Sequence, residues 1–313
     1  MNEGRKLAEG GVLLALYAIM LFLVLYIPLL GTILMFLLPV PFVLFGTKHD
    51  VKWSFLFLGA GILVTMIVGG YFSAPITIIF GLVGIVMGYY IRTNKSKLQM
   101  FVISTLIFIA GILAMFAVSV VLFDVNYVEE TIRMMDDAIE QSGALLTSMG
   151  QGEQSEKMLE QVRSSMDLIQ VLLPSFIAIS SIIIMAITFL ACKPIINRFS
   201  SHKFEMAPIR DIVLPKSLLW YYLFIMIGSL LMNPAQGSIS YTVISNLLFT
   251  LQFFILIQGY SLVFFFSDVK GWPKAVPIII TIVTIIIPLS PIIRILGIID
   301  LGFPLRKMLN HKQ

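Results

Sequence analysis

Long apolar runs alternate with short polar breaks along this chain, and one polar stretch, residues 124–167, interrupts the alternation. A helix needs roughly 20 apolar residues to cross a hydrocarbon layer about 30 Å thick. Runs of that order fall at residues 7–27, 29–45, 53–69, 75–91 and 98–123, then at 169–191, 217–232 and 241–266. Pro28 stops the first. Pro39 and Pro41 lie inside the second, which is therefore predicted to be kinked or broken into short pieces. A ninth run begins near Val276 and is cut by Pro288 and Pro291. The helix count is eight to ten, according to how the ninth run ends and whether residues 292–305 fold back as a short tenth helix. The expected fold class is all-α, a polytopic transmembrane helical bundle.

The polar stretch has its own periodicity. Val128, Ile132, Met135 and Ile139 recur at helical spacing, and so do Met158, Val162, Met166 and Ile169. Gly143, Gly150 and Gly152, with serines and glutamines among them, supply a turn between the two. The pattern predicts two amphipathic helices that extend the fifth and sixth spans as a hairpin. Three regions follow: an N-terminal membrane bundle of five spans over 1–123, an acidic helical hairpin over 124–168, and a C-terminal bundle of three to five spans over 169–313.

Composition agrees: 58% of the 313 residues are hydrophobic and 12% are charged, against about 25% charged in a soluble domain. Charge distribution then gives a direction. The polar stretch holds ten acids against Arg133, Lys157 and Arg163, in a chain whose net charge is +4. Arg5 and Lys6, Lys48 and Lys52, Arg92 to Lys97, Lys193 to Lys216, and Lys270 with Lys274 fall in alternate loops, separated by uncharged connectors. Lysine and arginine collect on the cytoplasmic side, so the N-terminus is expected inside and residues 124–168 outside. The basic loops point to membrane lipids and not to nucleic acid. The first run lacks a small-x-small site at Tyr26-Ile27-Pro28 and is predicted to be an uncleaved span.

Chemistry-bearing patterns are sparse. The single cysteine, Cys192, can form no intrachain disulfide, and His49, His202 and His311 lie in separate loops or the tail. No phosphate-binding loop, nucleophile elbow or metal-ligand spacing is present, so no enzyme, cofactor or metal is expected. Glu9 is expected to pair at the interface with Arg5 and Lys6; Arg294 and Asp300 are candidates to pair in the last apolar region. Polar uncharged groups remain. Tyr241, Ser245 and Gln252 share a face of one helix, with Asn246 and Gln258 further along it. Together with Asn126, Tyr127, Asn233 and Gln236 they are candidates to line a cavity open to the outside, or else to bond helix to helix. Two stripes of small residues permit close helix approach: Ala8, Gly11, Ala15 and Ala18 in the first span, and Gly81, Gly84 and Gly88 in the fourth. One can serve internal packing, the other the docking of a separate membrane subunit.

Some residues carry a likeness. Arg5-Lys6-Leu7-Ala8-Glu9-Gly10-Gly11, Leu14 to Tyr17, Pro39-x-Pro41-Phe42, and the run from Leu296 to Lys307 resemble the YybS family of predicted membrane proteins from Gram-positive bacteria. That resemblance implies the plasma membrane of a bacterium. More distantly, the first half is similar to the S component of energy-coupling-factor transporters, whose first helix docks a coupling subunit through Ala-x-x-x-Ala. Gly11-x-x-x-Ala15 has that spacing, with glycine in place of the first alanine. The likeness implies a substrate-binding subunit for an unknown small solute that works with a coupling membrane subunit and its ATPases. The alternative is a non-transporting envelope scaffold or partner-binding membrane protein that makes its contacts through the acidic hairpin.

Overall fold

The computed structural model describes residues 3–148, 152–303 and 305–306, and among these every regular element is helical. In chain order they are α1 (Glu3–Tyr26), α2 (Pro28–Met35), α3 (Val40–Lys48), α4 (Val51–Gly69), α5 (Ala74–Arg92), α6 (Lys97–Phe123), α7 (Tyr127–Ser148), α8 (Gly152–Phe199), α9 (Ser217–Met232), α10 (Ile239–Val269), α11 (Ala275–Ile286) and α12 (Ser290–Gly302). Seven segments are long and apolar enough to cross a membrane, α2 and α3 counting together as one. The protein is therefore a multi-pass membrane helical bundle. α9 has the bounds expected of the seventh span and, at 16 residues, falls short of a full crossing length, and α11 and α12, with 12 and 13, divide the ninth run at Pro288. Of the fold-back expected over 292–305, Pro304 lies outside the described residues.

The chain forms two compact units: the described residues of Met1–Leu159 with Ser180–Glu205, and Glu160–Ile179 with those of Met206–Gln313. This division cuts across the regions expected at 123 and 168, because α8 contributes a part to each unit.

In the first unit the broken second span is central. Pro39 and Pro41 end α2 and start α3, and from Val40 to Thr47 every residue of α3 is buried. The stripe on α5 makes this possible. A Cβ on Gly84 would come within 2.5 Å of the Phe42 side chain and 2.8 Å of the Pro39 carbonyl, and one on Gly88 within 2.9 Å of Gly46. Glycine thus brings the two backbones together, and Phe42 then reaches Tyr17 edge-on at 5.0 Å and Phe57 at 5.2 Å. Cys192 is buried here, its Sγ 3.5 Å from the Phe36 carbonyl.

In the second unit α10 and α12 cross in direct backbone contact. A methyl group on Gly259 would overlap the Ile293 carbonyl, and one on Gly297 would overlap that of Ile255. At both points the nearest atom is backbone, which cannot move aside as a flexible side chain would.

Two features of the polar stretch depart from expectation. The fifth span does not extend into the acidic helix: Asp124 takes the left-handed conformation (φ 53°) and ends α6, and Asn126 then caps α7 by accepting from the Glu129 N–H at 3.3 Å. Gly143 is no turn residue but part of α7, close against Leu159 of α8; Gly150 lies outside the described residues. Of the first apolar stripe, Ile139 is buried while Met135 is exposed; of the second, Met166 is buried while Val162 and Ile169 are exposed, and the side chain of Met158 lies outside the described residues. For the sixth span the extension holds: α8 is one helix of 48 residues, about 72 Å long.

The α10–α12 crossing yields a first prediction. Gly297→Ala should lower the unfolding temperature of the detergent-solubilised protein, at a cost of about 3 kcal/mol or more, since over-packing here meets rigid backbone. Gly228→Ala, where a Cβ would meet open space, should leave that temperature within error.

Candidate functional site

Each stripe and each candidate cavity residue has a definite place. Ala8, Gly11 and Ala15 are exposed along α1, Ala18 is half-buried, and a Cβ on Gly11 would meet nothing within 4 Å. Gly81, Gly84 and Gly88 are buried against α3 and α4. Asn126 serves as a helix cap and Tyr127 is exposed. Asn233, which closes α9 in a left-handed conformation, and Gln236 are exposed; Tyr241, Ser245 and Gln252 are half-buried along α10. Asn126 and Tyr127 belong to one unit and the other five residues to the other.

The second unit gathers polar groups whose partners lie far away in the sequence. On α10, Asn246 donates to the Val171 carbonyl at 2.7 Å and accepts from the Ser175 hydroxyl at 2.7 Å and its N–H at 3.0 Å, which fastens α8 to α10. Twelve residues on, the Gln258 side chain bridges: its Oε1 accepts from the Leu214 N–H at 2.9 Å and its Nε2 donates to Asp300 at 2.5 Å. Arg306 clamps Asp300 from the other side, with Nη2 at 2.8 Å and Nε at 3.0 Å from Oδ2. Its Nη1 donates to the Arg210 carbonyl at 2.8 Å and its Nη2 to the Ser261 hydroxyl at 3.0 Å, while Ser261 donates in turn to the carbonyls of Ile209 and Ile212. The Asp300 side chain is 2% exposed and that of Arg306 15%. A carboxylate so buried is held by the Gln258 amide and a bidentate guanidinium, which is what keeps a charge tolerable away from water. Together they bind the extended chain between α8 and α9 onto α10. At the edge Arg210 pairs with Asp268.

This corrects the expected pairing. Arg294 does not meet Asp300; its Nη1 donates to Gln252 Oε1 at 2.7 Å. Asp300 takes Arg306, six residues on, because a helix end lets the chain return whereas Arg294 lies on a different turn of α12.

In the first unit Tyr17, Thr65 and Thr77 form a fully buried hydroxyl triad, Tyr17 to Thr77 at 2.6 Å and Thr65 to Thr77 at 2.5 Å, with Thr65 donating to the Gly61 carbonyl at 2.8 Å. It ties α1, α4 and α5 together. At the Glu9 end of α1 the expected partners change. Glu9 has Arg5 at 3.6 Å, Lys48 at 3.8 Å and His49 at 3.4 Å, whereas Lys6 lies over the Trp53 ring at 5.0 Å. His49 packs against Phe45 with the rings tilted at 48°, its side chain is 1% exposed, and its carbonyl accepts from Arg92. Burial pushes the imidazole below its ordinary value, against the opposing pull of the Glu9 carboxylate.

No group of three or more metal-ligating side chains occurs among the described residues. The family model described as "Predicted membrane protein (DUF2232)" matches residues 15–301. The chain is similar to the "Uncharacterized protein YybS" of Bacillus subtilis (strain 168), 31% identical over 307 residues that cover 98% of this chain and 99% of that one. No solved structure matches.

Two predictions follow from the charged groups. Because His49 is held below 6.5 in the fold, the unfolded chain binds the proton more readily. The stability that His49 contributes is thus complete above about 6.5 and is lost as pH falls through the folded value. Thermal unfolding followed against pH should show an acid-side decline for the wild type that is shallower in His49→Gln. For the clamp, Arg306→Gln strands a buried carboxylate and should destabilise by about 3–5 kcal/mol. The double variant Asp300→Asn/Arg306→Gln should recover part of this in the same melt, a non-additivity that solvent-exposed partners would not show.

Proposed function

The chain belongs to this family of predicted membrane proteins, and from that premise we propose that it is a substrate-binding, transport-related membrane subunit for a small solute, without an ATPase of its own. The observation that carries the reading is the contrast between the two small-residue stripes. That of α5 is used up inside the fold, against Phe42, Pro39 and Gly46. That of α1, Ala8, Gly11 and Ala15, faces outward with open space at Gly11. Helices in lipid associate where small residues let backbones approach, so this face suits the docking of a separate transmembrane helix. It is also the face on which Gly11-x-x-x-Ala15 has the spacing of the S-component signature, in an S-component-like N-terminal half. In this reading a coupling subunit with its ATPases supplies the energy, and the protein carries out no reaction itself. It sits in the bacterial plasma membrane with its N-terminus in the cytoplasm and residues 124–168 outside.

A second reading is favoured by the acidic helix. Glu129, Glu130, Asp136, Asp137 and Glu140 of α7 are all exposed, a surface suited to a basic partner of an envelope scaffold. The two readings separate by experiment. Gly11→Leu or Ala15→Leu should abolish co-purification with a coupling subunit and ATPases while leaving the melt of the isolated protein unchanged, since neither site is packed inside. Deletion of residues 125–164 should leave that assembly intact. Assembly that survives both leucines would sink the docking face, and loss of a partner on the deletion alone would favour the scaffold.

A further inference from the structure

The charge balance around Arg294 is incomplete. Its one described partner is the neutral amide of Gln252. Gln252 lies 13 residues from Ile239 and 17 from Val269 in the 31-residue α10, hence about 20 Å and about 26 Å from the helix ends. In a hydrocarbon layer about 30 Å thick, that places the guanidinium near mid-depth, where an ionised side chain faces inward and needs a counter-charge.

Among the described residues, no element of the second unit supplies one. The sequences of α9 and α11 contain no charged residue, Asp211 ahead of α9 lies 3.8 Å from Arg210, and α10 offers only Asp268, sixteen residues away and paired with Arg210. On α12 Asp300 is held by Arg306 and by Gln258, six residues along α10 from Gln252. The α8 segment lies parallel to α10, Val171 beside Asn246 and Ser175 beside Thr250. Its Asp167 and Glu160 therefore fall further towards the Ile239 end, and Arg163 only adds positive charge. Arg294 is half-buried, so it stays reachable. Its planar fork has donors to spare after one bond to Gln252.

We infer that Arg294, oriented by Gln252, is an anion-binding site that takes the carboxylate or phosphate oxygens of a small solute. A lipid phosphate has the same chemistry, but headgroups lie at the faces of the bilayer and not at its mid-depth. The inference rests on the proposed solute-binding role and gives that role a substrate class: the ligand is an anion, and a bidentate pair with the guanidinium is its main attachment.

The test uses the full chain in nanodiscs of phosphatidylcholine, with radiolabelled inorganic phosphate and succinate as probes. The wild type should bind at least one probe saturably. Arg294→Gln should weaken that binding at least tenfold, and Arg294→Lys should keep part of it. Gln252→Glu places a carboxylate beside the guanidinium, so it should expel the probe and raise the unfolding temperature without ligand; this variant keeps the test valid even where Arg294→Gln fails to fold. Absence of saturable binding by the wild type, equal binding by Gln252→Glu, or no rise in its unfolding temperature would overturn the site. Competition by added phosphatidylglycerol would assign the oxyanion to a headgroup and overturn the solute. Failure of subunit assembly in a protein that still binds the probes would remove the coupled-transport reading and leave the site standing. Intact assembly without probe binding would do the reverse.

Discussion

In hydrocarbon the hydrophobic effect gives one helix no reason to prefer another, so close backbone approach and polar bonding must do what burial does in water. Both units depend on this. In the first, glycines of α5 admit α3 so closely that Phe42 lies over Gly84 and Gly46 meets Gly88. In the second, Gly259 and Gly297 bring α10 and α12 into backbone contact. The remaining packing forms around those approaches, because side chains such as Phe42 and Ile255 are positioned by them.

Polar groups complete the fastening in different ways. The first unit uses hydroxyls, which bond across α1, α4 and α5 at little desolvation cost. The second uses amides and charges, with Gln258 and Arg306 converging on Asp300. A buried carboxylate is costly unless every lone pair is engaged. The reward is specificity: only one placement of the segment through Ile209 and Leu214 satisfies Gln258, Ser261 and Arg306 together.

Much of the helical layout was legible because its signals are local. Prolines marked the break in the second span, charges marked the ends of α4, α5 and α6, and Gly81, Gly84 and Gly88 repeat at a spacing that one helix turn exposes to view. What escaped depends on distant partners. Gly259 and Gly297 stand alone in their own helices, and their meaning appears only when the fold brings them together across a separation of 38 positions. The same holds for Gln258 with Asp300. Asp300 is the acid nearest to Arg294 in sequence, yet the partner in space is a neutral amide on another helix, Gln252. At Asp124 the sequence showed helical periodicity on both sides of a residue whose left-handed backbone separates them.

Cys192 has a practical consequence. It is the only thiol in the chain, and it is enclosed against the Phe36 carbonyl. The native protein therefore presents no accessible thiol to a charged, water-soluble maleimide, and it needs no cysteine-free background. A cysteine placed at exposed Glu130 or Asp137 of α7 would be the one group such a reagent meets. In intact cells, the face from which that reagent arrives reads out the sidedness of the acidic helix directly.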